Sequence, residues 1–207
     1  MNQMKLLQSG PQDAPATVIL AHGAGAPMDS PFMEVIAIGL ADEGLTVVRF
    51  EFPYMADRRL GQRRGPDRQS VLIDTWREAI SALGPLRRLV IGGKSMGGRI
   101  ASMIADETEA VGLVCLGYPF HPPGRPKSLR TGHLESLRTS TLIVQGERDP
   151  LGGREEVAGY HLSRSIRILW LPDGNHSFKP RKKSGHTSEG HQATAVSAIA
   201  DFVRLLD

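Results

Sequence analysis

Six short apolar runs punctuate the chain, at residues 17–21, 45–50, 89–91, 111–116, 141–144 and 166–171. Each is rich in Val, Ile or Leu and shows little polar alternation, the pattern of strands covered on both faces. Helical periodicity fills the gaps. Ser30-Pro31 opens one helix, with Ser at the N-cap and Pro at the first position, and Gly44 closes it. A second helix places Leu72, Trp76, Ile80 and Leu83 on one stripe and ends at Gly84-Pro85. A third begins after Ser188 and spaces Val196, Ile199, Val203 and Leu206 along one face. Strand and helix alternating over the whole length predict a doubly wound, mainly parallel sheet of about six to seven strands joined by right-handed crossovers. The first residues are expected to add an edge strand.

Length and composition narrow this picture. A chain of 207 residues is long enough to bury a full core, and no internal repeat or linker divides it, so residues 1–207 are read as one domain. No apolar run reaches the roughly 18–20 residues needed to cross a bilayer. The stretch from Met1 to Leu7 lacks the apolar segment of a signal peptide. A single cysteine, Cys115, excludes an internal disulfide and fits a cytoplasmic location. It falls inside an apolar run and reads as a buried thiol. The net charge of +3 is too mild to suggest nucleic-acid binding, and no membrane partner is expected.

The chemistry is concentrated where apolar runs end. In doubly wound sheets function gathers at the carboxyl ends of the strands. Leu89-Val90-Ile91-Gly92-Gly93-Lys94-Ser95-Met96-Gly97-Gly98 is an apolar run that breaks at a glycine-flanked serine and resumes as a helix. That is Gly-x-Ser-x-Gly in the strand–turn–helix context that gives the motif meaning. The turn is so tight that positions two before and two after Ser95 can carry no side chain, and Gly93 and Gly97 meet that demand. Asp149 follows the run at 141–144, and His176 follows the run at 166–171. Ser, Asp, His is the chain order of α/β-hydrolases. His176 would act as base toward Ser95, and Asp149 would hold its tautomer. The backbone N–H of Met96 would supply one oxyanion donor, and the loop His22-Gly23-Ala24-Gly25-Ala26 the other, from Ala24 first and Gly25 next.

Competing assignments exist for several positions. Glu147 and Asp173 are substitute acids, and His186 and His191 compete with His176; His191 is expected on the final helix. His22 reads as a residue that shapes the oxyanion loop rather than a second base. Gly93-Lys94-Ser95 looks like the end of a phosphate-binding loop, but the glycine required five residues earlier is Arg88. Residues 119–137 are too few for an inserted lid domain, so the site is expected to be open.

Two basic segments, 57–68 and 179–183, should emerge on the same side of the sheet. They are either solvated loops or a cationic rim that would draw an anionic substrate through a salt-sensitive field. Tyr54, His121 and Arg63 are the candidate substrate-binding residues.

The sequence resembles the small lidless α/β-hydrolases related to the testis-expressed family and to the hydrolase-like third subunit of the NSL histone acetyltransferase complex. His22–Ala26, Phe52-Pro53-Tyr54-Met55, Gly93–Arg99, Gly117–Gly124 and His176–Pro180 carry the likeness. Dienelactone hydrolases are more loosely similar, but they carry cysteine where this chain has Ser95. The resemblance implies the fold and a triad and little about substrate, since some members serve as protein-interaction subunits.

The resulting expectation is a serine hydrolase acting on a carboxylic ester or thioester, with no metal and no organic cofactor. The competing class is a hydrolase-shaped interaction module with an unused triad. A peptidase would be expected to need a deeper enclosed pocket than so short a chain offers.

Overall fold

A computed structural model describes residues 4–86 and 88–206. Met1 to Gln3, part of the segment where a signal peptide was sought, lie outside the described residues. In chain order the elements are β1 (Leu6–Ser9), β2 (Thr17–Ala21), α1 (Pro31–Asp42), β3 (Thr46–Phe50), α2 (Pro53–Arg59), α3 (Gln69–Ala82), β4 (Leu89–Lys94), α4 (Met96–Ile104), β5 (Ala110–Leu116), β6 (Thr141–Gly146), α5 (Arg154–Val157), β7 (Ile166–Leu171) and α6 (Ser188–Arg204). They form one seven-stranded sheet in the order β1-β3-β2-β4-β5-β6-β7. Every pairing is parallel except that of β1, which runs antiparallel to β3 at the edge.

The apolar runs are strands because both of their faces are covered. Along β2, Ile19 joins one core while Val18 and Leu20 join the other, as the two-residue period of a strand requires. The first core gathers Ile19, Phe50, Trp76, Ile91, Ile100 and Ile143 beneath α3 and α4. The second gathers Leu20, Leu40, Val90, Val114, Ile199 and Val203 beneath α1 and α6. Each fully buried side chain of this kind contributes about 1.5–3 kcal/mol of transfer free energy.

The helices follow their apolar stripes with small departures. Leu72 and Trp76 are buried, while Ile80 and Leu83 are only partly covered. Leu206 lies beyond the last turn of α6 yet still packs on the second core. Ser30 occupies the N-cap of α1 but makes no side-chain cap bond. Gly39 lets the two helices of that layer meet, since a Cβ there would come 2.8 Å from Val196 Cγ2. Residues 119–137 hold only turns and one short 3-10 turn, so no lid domain covers the carboxyl edge. α2 and α5 are additions to the elements read from sequence.

β4 is the middle strand, and its carboxyl end is closely packed against β2. A Cβ on Gly93 or on Gly97 would overlap the carbonyl oxygen of Ala21 in β2. Because the obstruction is backbone on a central strand, it cannot swing aside. Gly97→Ala should therefore cost about 1–3 kcal/mol of stability through overpacking. Gly65→Ala, where nothing lies within 4 Å, should stay within about 0.5 kcal/mol. Denaturant midpoints of the two variants against wild type measure both values.

Candidate active site

The chain turns from β4 into α4 at Ser95, whose backbone has φ 51° and ψ −112°. For a residue with a side chain this conformation costs of order 1–3 kcal/mol and persists only where the surroundings over-determine it. Here the Ser95 N–H donates to the Leu116 carbonyl at 3.0 Å, and the Ser95 carbonyl accepts from Arg99 N–H at 3.0 Å. The hydroxyl is thereby raised clear of the sheet edge.

His176, in the loop after β7, meets it. The Ser95 hydroxyl donates to His176 Nε2 at 2.9 Å, and His176 Nδ1–H donates to Asp149 Oδ2 at 2.7 Å. The Asp149 side chain is fully buried. Its other oxygen accepts from the Leu151 N–H at 2.8 Å. Gln145, also fully buried at the end of β6, donates from Nε2 to Asp149 Oδ2 at 3.0 Å. The same amide side chain brackets Tyr118, accepting from its N–H at 2.7 Å and donating to its carbonyl at 3.1 Å. Gln145 thus ties the acid to the loop after β5. Sequence reasoning passed over it, although a buried polar residue closing an apolar strand was a usable signal.

The rival assignments do not reach this chain of bonds. Glu147 is paired with Arg154, and Asp173 with Arg148 and Arg181, which hold the Asp173 carboxyl down at about 2. His191 is buried in α6 and donates to the Phe178 carbonyl at 2.7 Å, while His186 stacks on it. A second serine–histidine contact, Ser102 to His133 Nε2 at 2.8 Å, lies inside the fold. Ser102 is only 2% exposed, and among the described residues no carboxylate bonds to His133.

The loop after β2 lies against the serine; a Cβ on Gly23 would come 3.7 Å from Ser95 Cβ. His22 shapes this loop. Its Nδ1–H donates to the Gly23 carbonyl at 2.7 Å, and its Nε2 accepts from the Phe52 N–H at 3.1 Å. Those partners require the neutral ring, and burial holds its pKa below the usual 6.5. Among the described residues the amides of Met96, Ala24 and Gly25 donate to no protein acceptor. The Met96 amide also opens α4, where the helix dipole favours negative charge.

Ser95 stands between two pockets. One, of about 350 Å³, is lined by Ala24, Gly25, Phe32, Met33, Lys94 and His176. The other, of about 310 Å³, is lined by Ala24, Met96, Arg99, Arg130 and Leu151.

The three candidate substrate-binding residues are not at these walls. Tyr54 is fully buried behind the loop, and its hydroxyl contacts the Ala24 carbonyl at 3.1 Å and the Gly23 carbonyl at 3.3 Å. His121 is 3% exposed and faces Glu156 at 3.2 Å. Arg63 lines a separate surface hollow with Arg58 and Arg64. Part of the charge of the two basic segments is paired locally. Arg59 is paired with Asp29 and Glu51, Arg64 with Asp57 and Asp67, and Arg181 with Asp173.

Residues 14–204 match the family model described as alpha/beta hydrolase domain. The chain belongs to the α/β-hydrolase family. Solved structures of this α/β-hydrolase fold include a dienelactone hydrolase from Anabaena variabilis, with TM-score 0.75 and 21% identity over 98% of this chain and 92% of that one. A serine hydrolase without lid from Xanthomonas campestris gives 0.68 and 21% over 94% and 88%. Est1E from Butyrivibrio proteoclasticus gives 0.68 and 13% over 99% and 97%. No helix among the described residues is long and apolar enough to cross a membrane.

One further cation sits in this α/β-hydrolase site. Lys94 Nζ donates to the His176 carbonyl at 2.6 Å and lies 5.5 and 5.6 Å from the ring centres of Phe32 and Phe178. Burial pulls its pKa down to about 8, with the Asp149 charge opposing the shift. The unfolded chain therefore binds this proton more tightly than the native state between pH 8 and about 10.5. Lys94 then makes stability rise with pH across that window. Thermal melts should show wild type gaining on Lys94→Met from pH 8 upward; a pH-independent difference between the two would contradict the assignment.

Proposed function

We propose that the chain is a serine hydrolase that cleaves a carboxylic ester or thioester through an acyl-enzyme. The observation that carries this reading is the unbroken run of hydrogen bonds from Asp149 through His176 to Ser95, ending at a hydroxyl shared by two pockets. Ser95 Oγ forms a bond to the acyl carbon while its proton passes to His176 Nε2. The tetrahedral oxyanion rests on the Met96 and Ala24 amides, with Gly25 as the next candidate donor. The bond to the leaving oxygen or sulfur then breaks, and His176 returns the proton to that atom. Water, deprotonated by the same imidazole, displaces the acyl group and regenerates the hydroxyl.

In this reading the whole chain acts as a single domain in the cytoplasm, and Cys115 plays no chemical part. It is buried in β5, where burial raises its thiol pKa far above the ordinary range. Membership of the small lidless group related to the testis-expressed family remains part of the proposal. It rests on the motif residues around His22, Ser95 and His176.

Ser95→Ala should abolish turnover of p-nitrophenyl acetate and labelling by a fluorophosphonate probe. Asp149→Asn should lower kcat by roughly 10⁴-fold, because the imidazole loses its required tautomer. A Ser95→Ala enzyme as fast as wild type would overturn the proposal. A folded wild-type protein that the probe fails to label would favour the interaction-module reading instead.

Tyr54→Phe tests the loop separately. Losing the hydroxyl that contacts the Gly23 and Ala24 carbonyls should loosen one oxyanion donor. The expected loss is about tenfold in kcat, below the 10²–10³ for outright removal of a donor. KM should change little, and steady-state kinetics with p-nitrophenyl acetate separates the two parameters.

A further inference from the structure

The pocket on the Met96 side of Ser95 holds two guanidinium groups with no carboxylate partner among the described residues. Arg99 projects from α4 one turn beyond the nucleophile, and among the described residues its guanidinium makes one side-chain hydrogen bond, to Met103 Sδ at 3.7 Å. Arg99 shares the wall of this pocket with Ser95 and Met96. Arg130 reaches the same pocket from the loop after β5. Its backbone is pinned there, with the N–H donating to the Phe120 carbonyl at 2.7 Å and the carbonyl accepting from the Tyr118 hydroxyl at 2.9 Å.

Among the described residues neither arginine forms an ion pair. Asp67 touches the pocket, but its oxygens already accept from the Tyr54 N–H at 2.8 Å and from Arg64 at 3.3 Å. Burial first, and then the neighbouring Arg130 charge, lower the basicity of Arg99. Elsewhere in this protein surface arginines have found carboxylates, as Arg59, Arg64, Arg154 and Arg204 show. Two half-buried arginines lining one pocket beside a nucleophile, neither in an ion pair among the described residues, are suited to hold an anion.

The position of His176 says which part of the substrate carries that anion. The imidazole must protonate the leaving atom, and it lines the opposite pocket with Phe32 and Met33. The leaving group therefore belongs on that side and the acyl group on the arginine side. We propose that Arg99 and Arg130 form a carboxylate-binding subsite, so that the preferred substrate is an ester or thioester of a short dicarboxylic acid, its free carboxylate held by the two guanidiniums. This rests on the hydrolase reading above and adds its acyl specificity. The planar fork of arginine suits a carboxylate, which it binds through paired N–H donors.

Two measurements separate this proposal from the reading beneath it. The first compares kcat/KM for mono-p-nitrophenyl glutarate with that for p-nitrophenyl valerate, its uncharged counterpart. Wild type should prefer the glutarate ester by at least tenfold at low salt, with the preference shrinking as salt is added. Arg130→Met should reduce that ratio at least tenfold, and Arg130→Lys should restore part of it. The second needs no turnover: in the Ser95→Ala protein, free glutarate should raise the melting temperature, and adding Arg130→Met should remove the rise. Glutarate binding that depends on Arg130 in a protein that hydrolyses neither ester would uphold the subsite and sink the hydrolase. Equal turnover of both esters with no glutarate binding would sink the subsite and leave the hydrolase standing.

Discussion

The backbone of Ser95 is held in a conformation that few side chains tolerate, and the rest of the molecule is arranged to keep it there. β4 is the middle strand of seven, so its end cannot shift without disturbing β2 and β5 on either side. Gly93 and Gly97 let the turn close against Ala21, and the Leu116 carbonyl fastens the serine amide from the neighbouring strand. A strain of order 1–3 kcal/mol is thus spread over a buried sheet with two full cores. What is gained is a fixed hydroxyl, and geometry fixed before the substrate arrives is the main resource of an active site.

Around that fixed point the other groups come from loops, each immobilised by a different buried bond. Gln145 holds Asp149 by its side chain. Tyr54 and His22 hold the loop that bears Ala24. Lys94 holds the backbone of His176. Each of these residues has a polar atom satisfied inside the protein. Burial makes such bonds obligatory, because an orphaned polar group at any of these positions would cost about 1–3 kcal/mol.

The parts legible in the sequence are those set by local periodicity or by position after a strand. The five central strands read correctly because both their faces are covered, and Ser95, Asp149 and His176 stood out because each follows one of the apolar runs. α2 was hidden because its seven residues sit in an arginine-rich stretch that reads as loop; Pro53 at its first position was the signal. Contacts between loops left no trace at all. Tyr54 looked like a substrate residue since nothing local says that its hydroxyl turns inward to two carbonyls. The arginine clusters of 57–68 drew attention by number, yet Asp29, Glu51, Asp57 and Asp67 absorb much of that charge. Arg99 and Arg130, isolated in sequence, form no ion pair among the described residues, since Asp67, the acid in their pocket, is bonded to Tyr54 and Arg64.

His22 makes the loop after β2 sensitive to acid. Its ring bonds a carbonyl with one nitrogen and an amide with the other, an arrangement that survives only while the second nitrogen lacks a proton. Acidification below about 6.5 favours the unfolded chain, which takes up that proton more readily than the native loop does. In acid, therefore, the loop that bears Ala24 is loosened from behind, through a ring that lies outside the pockets beside Ser95.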